Sequence, residues 1–418
     1  MQPTLIPDDA RHAVDPPPTL SSSRGEHLTL REARFDEEDL KGLWDLLRAQ
    51  FAAYRTCTLP QFLRLYEQLW LDNPARTADH VLGWVLQSRV GAIVGFIGLL
   101  PIKLKIGDSE VVGGAGHSWV VHPAHRSHSL RLYKQLLAWA ESHMLLFTTA
   151  LEQAARVNAL FGCSPIPIAQ FRRQALWLFR PERIAKAALT KAGWRRLAQW
   201  SEHFPLRSVI AVLLRLRFAR HRFARLPCRP MQMESLSDFG QEFDRLWDDN
   251  KSDYAITTVR DRSFLAWRHL KLPSLLGRTQ VFTCREGGQL RGYIAVQVRH
   301  AEADVLTGHF MVTDIFYQRT CPDALYNLLN HVFDFARSNA CAVLEISDVS
   351  ADVMRTLEAL HPYVRDCRPW TYWYKAPSEA LSQRCADQAW WPAGGRSRHG
   401  AGWPRCPGPA AATGGGGR

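Results

Sequence analysis

The chain repeats itself. Leu28–Asp45 reads LTLREARFDEEDLKGLWD and Met231–Asp248 reads MQMESLSDFGQEFDRLWD, at an offset of 203 residues. In both, a short alternating strand (Leu28, Leu30; Met231, Met233) meets an acidic helix start, and an amphipathic helix then reaches Leu-Trp-Asp. Acidic side chains favour that place because they complement the unsatisfied N–H groups of a helix N-terminus. The parallel continues. His80–Gln87, Val90–Gly107 and Glu110–His122 read as strands, followed by a helix Leu130–His143 with Leu130, Tyr133, Leu137 and Ala140 on one face. Met144–Leu151 is then a strand and Glu152–Phe161 a helix, with Gly162 as C-cap and Pro165 just beyond. In the second copy Gln280–Thr283, Tyr293–His300 and His309–Tyr317 are strands, with a hairpin turn at Glu286-Gly287-Gly288. Pro322–Arg337 is a helix with proline in its first turn, Val343–Ile346 a strand, Met354–Leu360 a helix and Tyr372–Tyr374 a closing strand. The order predicts two α/β domains of one kind, at 28–170 and 229–376, each a central mixed β-sheet (α+β in character) flanked by helices.

Composition places the chemistry. The net charge is +12, and the segment 172–228 alone holds twelve Arg and two Lys against Glu182 and Glu202, which leaves the rest neutral. The protein is a neutral body with one basic segment, 171–228, read as a helical linker. Residues 1–27, with five prolines, and residues 377–418, with nine Gly and five Pro, read as disordered arm and tail despite Trp390, Trp391 and Trp403. No apolar run approaches the ~20 residues that span a bilayer. The N-terminal stretch has no apolar core of a secretory signal, and the nine cysteines are scattered without a C-x-x-C pair. A reducing cytosol is the expected setting, without a disulfide framework.

Gly113–Leu137, GGAGHSWVVHPAHRSHSLRLYKQLL, carries the information. A hydrophobic strand runs into Pro123, Arg126 follows, then Ser127 and Ser129, then a long helix. Small residues let backbone N–H groups turn toward a ligand, and the helix start adds its dipole; that is the physics of a pyrophosphate cradle. With Val121-His122-Pro123-Ala124-His125-Arg126 the stretch resembles the GNAT N-acyltransferase superfamily, whose motif runs V-x-P-x-x-R-x-x-Gly-x-Gly/Ala from strand to helix. Ser129 stands at the first glycine and Arg131 at the second small residue.

The resemblance implies an acyltransferase that moves an acyl group from acyl-CoA, acetyl-CoA being the first choice, to an amine of a small molecule or peptide. It implies that the backbone of Val120, Val121 and His122 pairs with the pantetheine arm. It also implies that Arg126, Ser127, His128, Ser129 and Leu130 hold the pyrophosphate. Family members deprotonate the amine with a carboxylate, a histidine or water, and His117 is the candidate base here, its ordinary pKa near ~6.5 suiting proton transfer. The competing reading is a structural strand histidine. The family's thiolate-protonating tyrosine falls near Phe161, which has no proton to give, so Tyr133 is the remaining candidate, although at helical spacing it also reads as core. The second copy carries Thr313-Asp314-Ile315-Phe316-Tyr317 and then Gln318-Arg319-Thr320-Cys321-Pro322. It has no glycine, and Pro322 removes a backbone donor. It reads as a degenerate copy that packs on the first domain or binds acceptor, with Asp314 either a ligand contact or, as the favoured reading, a solvated strand-end carboxylate.

Three weaker signals remain. His122, His125 and His128 form an H-x-x-H-x-x-H series, but no acidic or thiol ligand joins them and no metal is assigned. Residues 206–226 have a helical pattern, with Val212, Leu216, Ala219, Phe223 and Leu226 on a stripe and Arg215, Arg217, Arg220, Arg222 and Arg225 around it. Such a helix is either a solvated connector, a contact with an anionic membrane surface on the cytoplasmic side, or a grip on tRNA. Trp267-Arg268 reads as a packed Trp beside an exposed Arg. Two other function classes compete with acyl-CoA transfer: a FemAB-like transferase that uses aminoacyl-tRNA, and a non-catalytic tandem binding protein.

Overall fold

Helix formation starts where the acidic clusters predict. The Asp36 side chain caps α1 (Glu37–Gln50) by accepting from the Asp39 N–H, with Glu37, Glu38 and Asp39 in the first turn. Arg31, on β1 (Thr29–Glu32), holds the buried Asp39 carboxylate with two hydrogen bonds of 2.8 and 2.5 Å, which fixes strand to helix. The computed structural model describes residues 27–391 except 56, 151, 168–172, 182, 273–277, 300–307, 348, 367–370 and 389; within 185–222 it describes only 209, 212, 213 and 216.

The first half continues through α2 (Ala52–Arg55) and α3 (Leu59–Tyr66), which runs into a π-helical turn, Glu67–Leu71. Then come β2 (Gly83–Gln87), β3 (Ile93–Ile106), β4 (Ser109–Val121), α4 (Ser129–Trp139), β5 (Met144–Ala150), α5 (Glu152–Leu160), β6 (Ser164–Pro165) and β7 (Arg173–Leu178). Gly162, at φ +71°, ends α5: its N–H reaches Ala159 O and that of Cys163 reaches Asn158 O, the paired closure that a left-handed residue permits. The buried face of α4 is Leu132, Tyr133 and Leu136, with Ala140 just after it; Leu130 is 45% exposed and Leu137 half-buried, so the expected face is rotated by about 60° and keeps Tyr133 and Ala140.

The second half holds β8 (Gln232–Leu236), α6 (Gln241–Asn250), β9 (Ile256–Thr258), α7 (Arg262–Ala266) with its own π-turn Trp267–Lys271, β10 (Arg278–Glu286), β11 (Gln289–Arg299), β12 (His309–Tyr317), α8 (Pro322–Ser338), β13 (Val343–Ser347), α9 (Ala351–Glu358), β14 (Tyr363–Asp366), β15 (Thr371–Lys375), α10 (Glu379–Asp387) and β16 (Trp390–Trp391). A π-turn at the same place in both halves is a mark of the repeat.

The two sheets have matching strand orders, β1-β2-β3-β4-β5-β15-β6 and β8-β10-β11-β12-β13-β7-β14. The halves have exchanged one strand each. β15 pairs antiparallel with β5 (Tyr374↔Leu146) and with β6, while β7 pairs antiparallel with β13 (Trp177↔Leu344) and β14. This corrects two expectations. Arg173–Leu178 is a buried strand of the second sheet, not the start of a helical linker: an apolar Ala-Leu-Trp-Leu run outweighs its arginine flank. The expected closing strand Tyr372–Tyr374 forms, but in the first sheet. β9 also joins the first sheet beside β3, and β16 pairs with β9.

A third correction concerns the tail. Within 377–418, Ser378 caps α10 and Trp390 is buried with Cys385 against Tyr374, Leu146 and Ile256. That junction core mixes residues of both halves. Trp267 ties them again, its indole N–H reaching Gln68 O at 2.6 Å across the two π-turns. Among the described residues no helix is long and apolar enough to cross a membrane, and six of the seven cysteines are free thiols, Cys57 being disulfide-bonded.

Candidate functional site

Glycines build the cleft. Gly113, Gly114, Ala115 and Gly116 follow one another on β4, and a Cβ on Gly113 would lie 2.4 Å from Met144 O, so β4 and β5 approach closely there. Their parallel pairing is confined to Gly113↔Met144, Gly114↔Leu145 and Ala115↔Leu146, after which the strands part. On its other edge β4 bulges: His117 pairs with Gly98 and Val120 with Phe96, so Ser118 and Trp119 face Ile97 alone. Ser118 takes φ +55°, a left-handed conformation that costs a non-glycine residue energy. Gly116–Trp119 are half-buried, whereas Gly113–Ala115 are buried. The wedge therefore opens where the bulge lies.

Beyond the wedge β4 reaches the loop. The His122 N–H bonds Val94 O at 2.7 Å, the His122 ring accepts from Ala124 N, and Pro123–His128 forms a 3₁₀ turn that feeds α4. The edge Val120–His122 thus runs continuously into Arg126 and Ser127, which are exposed, His128 and Ser129, which are half-buried, and exposed Leu130. The Trp119 indole donates to Ser129 O at 3.3 Å and fixes the helix start to the wedge. The Arg131 guanidinium donates to Leu28 O at 3.2 Å and also reaches the loop, 3.5 Å from His128 Nδ1.

The candidate side chains divide. His117 is half-buried on the face that looks toward α1 and α3. Its ring meets Trp70 edge-on at 5.1 Å, and its Nδ1 lies 2.7 Å from Ser118 Oγ. Burial lowers its pKa to about 4, so it is neutral across the physiological range. Tyr133 lies elsewhere: it is wholly buried, its hydroxyl donates to Asn158 Oδ1 at 2.7 Å, and burial pushes its pKa up. Its proton is committed inside the core, which corrects the reading of Tyr133 as an acid. Sequence reasoning missed the rings around it. Trp119 stacks on Tyr133 at 4.9 Å, and Phe147 lies beyond at 6.1 Å. The signal was present in the spacing of aromatics on β4, α4 and β5, but only the fold assembles them. In the histidine series His125 is buried and its ring lies 5.9 Å from that of His122; no group of three or more His, Cys, Asp or Glu converges among the described residues.

The second half repeats the geometry and fills it. β12 pairs with β13 only from His309↔Val343 to Val312↔Ile346, and bulges at Thr313 between Val312↔Val296 and Asp314↔Ala295. Every residue of β12 is nevertheless buried. Asp314 is the reason. It is not solvated: Tyr293 donates to it at 2.8 Å, the Arg260 Nε lies 3.3 Å away and His269 3.8 Å. Burial alone would raise its carboxyl, but the Arg260 charge and these hydrogen bonds hold it far below the usual carboxylate range. Arg260, just after β9, also donates to Thr257 Oγ1 and Thr258 O of that strand. Arg319, after β12, is tied to Asp253 O and Asp352. At the start of α8, Pro322 and Asp323 occupy the turn where the first half has Ser129 and Leu130.

No family model matches the chain, and no curated protein matches it either. Solved structures do. A conserved protein of unknown function from Enterococcus faecalis V583, described as a probable N-acyltransferase, is 12% identical over 84% of this chain and 74% of its own, with a TM-score of 0.54. A GCN5-related N-acetyltransferase from Anabaena variabilis ATCC 29413 is 10% identical over 85% and 74%, with a TM-score of 0.53. The chain has the GNAT fold. Its own topology doubles that fold, so each GNAT-like half carries a bulged fourth strand parting from a fifth. The half with glycines keeps an open wedge, and the half with Asp314 has a closed one.

The basic helix lies mostly outside the described residues, including Arg215, Arg217, Ala219, Arg220 and Arg222. Val209, Val212, Leu213 and Leu216 are helical and exposed. Phe223 stacks on Phe333 at 3.6 Å and the Leu226 N–H bonds Asn330, so this end of the stripe packs on the second GNAT-like half. Trp267 is packed as expected, while Arg268 is half-buried near Asp314.

Proposed function

We propose that the first half transfers an acyl group from acyl-CoA, acetyl-CoA in the first instance, to an amine of a small molecule or peptide. The observation that carries this reading is the continuity of the open wedge with the loop at the start of α4. An extended pantetheine arm supplies amide groups for the side of Val120–His122 that faces away from β3, as a strand would. Arg126, the N–H groups of Ser127, His128 and Leu130, and the Ser129 side chain, whose own N–H is held by Arg126 O, line the place proposed for the pyrophosphate. The thioester comes to rest near Gly116 and His117. There the neutral amine attacks the thioester carbonyl, the C–N bond forms, the C–S bond breaks and CoA leaves as thiolate. His117, already unprotonated, accepts a hydrogen bond from the amine and orients it; its low pKa makes it a weak base, so solvent takes the proton. Water protonates the thiolate, because Tyr133 is spent on Asn158. The second half binds no donor by this route.

Thermal unfolding of the full chain with acetyl-CoA tests the assignment. At 100 Kd of free ligand, binding adds about 2.7 kcal/mol of stability, a clear rise in Tm. No rise with any acyl-CoA overturns it, and a rise with aminoacyl-tRNA instead favours the FemAB-like reading.

A further inference from the structure

Resting on the placement of acyl-CoA just given, we infer that Phe147 limits the donor to short acyl chains. The wedge has a narrow end. With the pyrophosphate at the α4 start and the arm along Val120–His122, the thioester points toward the place where β4 and β5 rejoin, and the acyl chain extends into it. The last paired residues are Ala115 and Leu146. The next residue on each strand is Gly116 and Phe147. A Cβ built on Gly116 would lie 2.7 and 2.8 Å from two ring carbons of Phe147 and 3.6 Å from Leu136. The ring therefore occupies the volume that a side chain at 116 would take, directly at the apex. Behind it Tyr133 and Trp119 complete a wall of stacked rings. An acetyl group stops short of this wall; a long chain meets it.

The fold does not demand a ring there. In the second half the last pair is Val312↔Ile346, and the residue after Ile346 is Ser347. Phe147 is thus a feature of the open half, on a strand position that a small residue satisfies in the other copy. It is also half-buried, as a lining residue is, while Met144, Leu145 and Leu146 are buried.

The test is calorimetric titration of the full chain and of Phe147→Ala with free CoA, acetyl-CoA and octanoyl-CoA. Each methylene that gains apolar cover is worth about fourfold in affinity. The parent should bind acetyl-CoA at least ~10-fold more tightly than octanoyl-CoA, and Phe147→Ala should narrow or invert that ratio by ~10-fold or more while free CoA affinity stays within about threefold. Phe147→Leu, which keeps the core apolar, should fall between them and carries the test if the alanine variant does not fold. Equal affinity for both thioesters in the parent, or an unchanged ratio in both variants, overturns the length limit and leaves the CoA site standing. Failure of the parent to bind even free CoA overturns the site, and the length limit with it.

Discussion

The two halves are built alike and differ in what occupies one wedge. Both part their fourth and fifth strands after three or four paired residues, and both bulge just beyond. In the first half the parted strands carry Gly116, His117 and Ser118, and the gap stays open. In the second, Asp314 is buried against Arg260, Tyr293 and His269, and every residue of the corresponding strand is interior. The fold supplies the cleft, and a few side chains decide whether it is a site or a core. A buried carboxylate needs partners on every side, and once they are gathered no room for a ligand remains.

The largest effect should come from breaking the filled half. Asp314→Ala leaves Arg260 buried without its carboxylate and should cost about 3–5 kcal/mol. His117→Ala, at the open wedge, should cost about 1 kcal/mol. Chemical denaturation of the two variants compares them directly, and equal losses would mean that the wedges are energetically alike. Next is a substitution that makes the open half resemble the filled one. The second half already places Asp323 in the first turn of α8, where it repels phosphate. Ser129→Glu should do the same at α4 and weaken CoA binding by ~100-fold or more with Tm unchanged, since like charges at about 4 Å repel by several kcal/mol at an effective dielectric of ~20. Unaltered affinity would move the pyrophosphate away from this loop.

A smaller and graded effect follows from protons. Burial lowers His80 and His117 to about 4, and lowers His122, His128, His269 and His331 as well. Histidines depressed on folding bind more protons when unfolded. Their contribution is therefore complete above the ordinary value near ~6.5 and is lost as pH falls from there toward 4. The melting temperature should decline across that window, and the His117→Gln variant should decline less steeply than the parent. Acyl transfer should be level between pH 5 and 8 as far as His117 is concerned; an inflection near 6.5 removed by the same substitution would contradict its buried, neutral state.

What was legible in the sequence was local. The hydrophobic run Glu110–His122 and the Pro123–Leu130 transition gave the strand, the turn and the helix start, because each rests on neighbours in the chain. The exchange of β7 and β15 was not legible, since a strand of five or six residues carries no mark of which sheet edge it will join. Asp314 looked solvated because its partner Arg260 is 54 residues away and sits on another element. Tyr133 falls on the expected helix face, but the Asn158 that accepts its hydrogen bond comes from the next helix. The composition of the tail concealed α10, whose single buried anchor, Cys385, is too little for a periodic signal.

The exchanged strands also set a clock. Lys375 pairs with Leu145, so the first sheet lacks β15 until about 225 further residues have followed the end of β5. At the ~5–20 residues per second of synthesis, that is a wait of about 10–45 s in which β5 and β6 present unpaired edges. The half with the open wedge is made first and finished last. The second copy cannot be discarded by the chain that carries it, because β15, which joins β5 to β6 in the first sheet, is delivered only at the end of that copy.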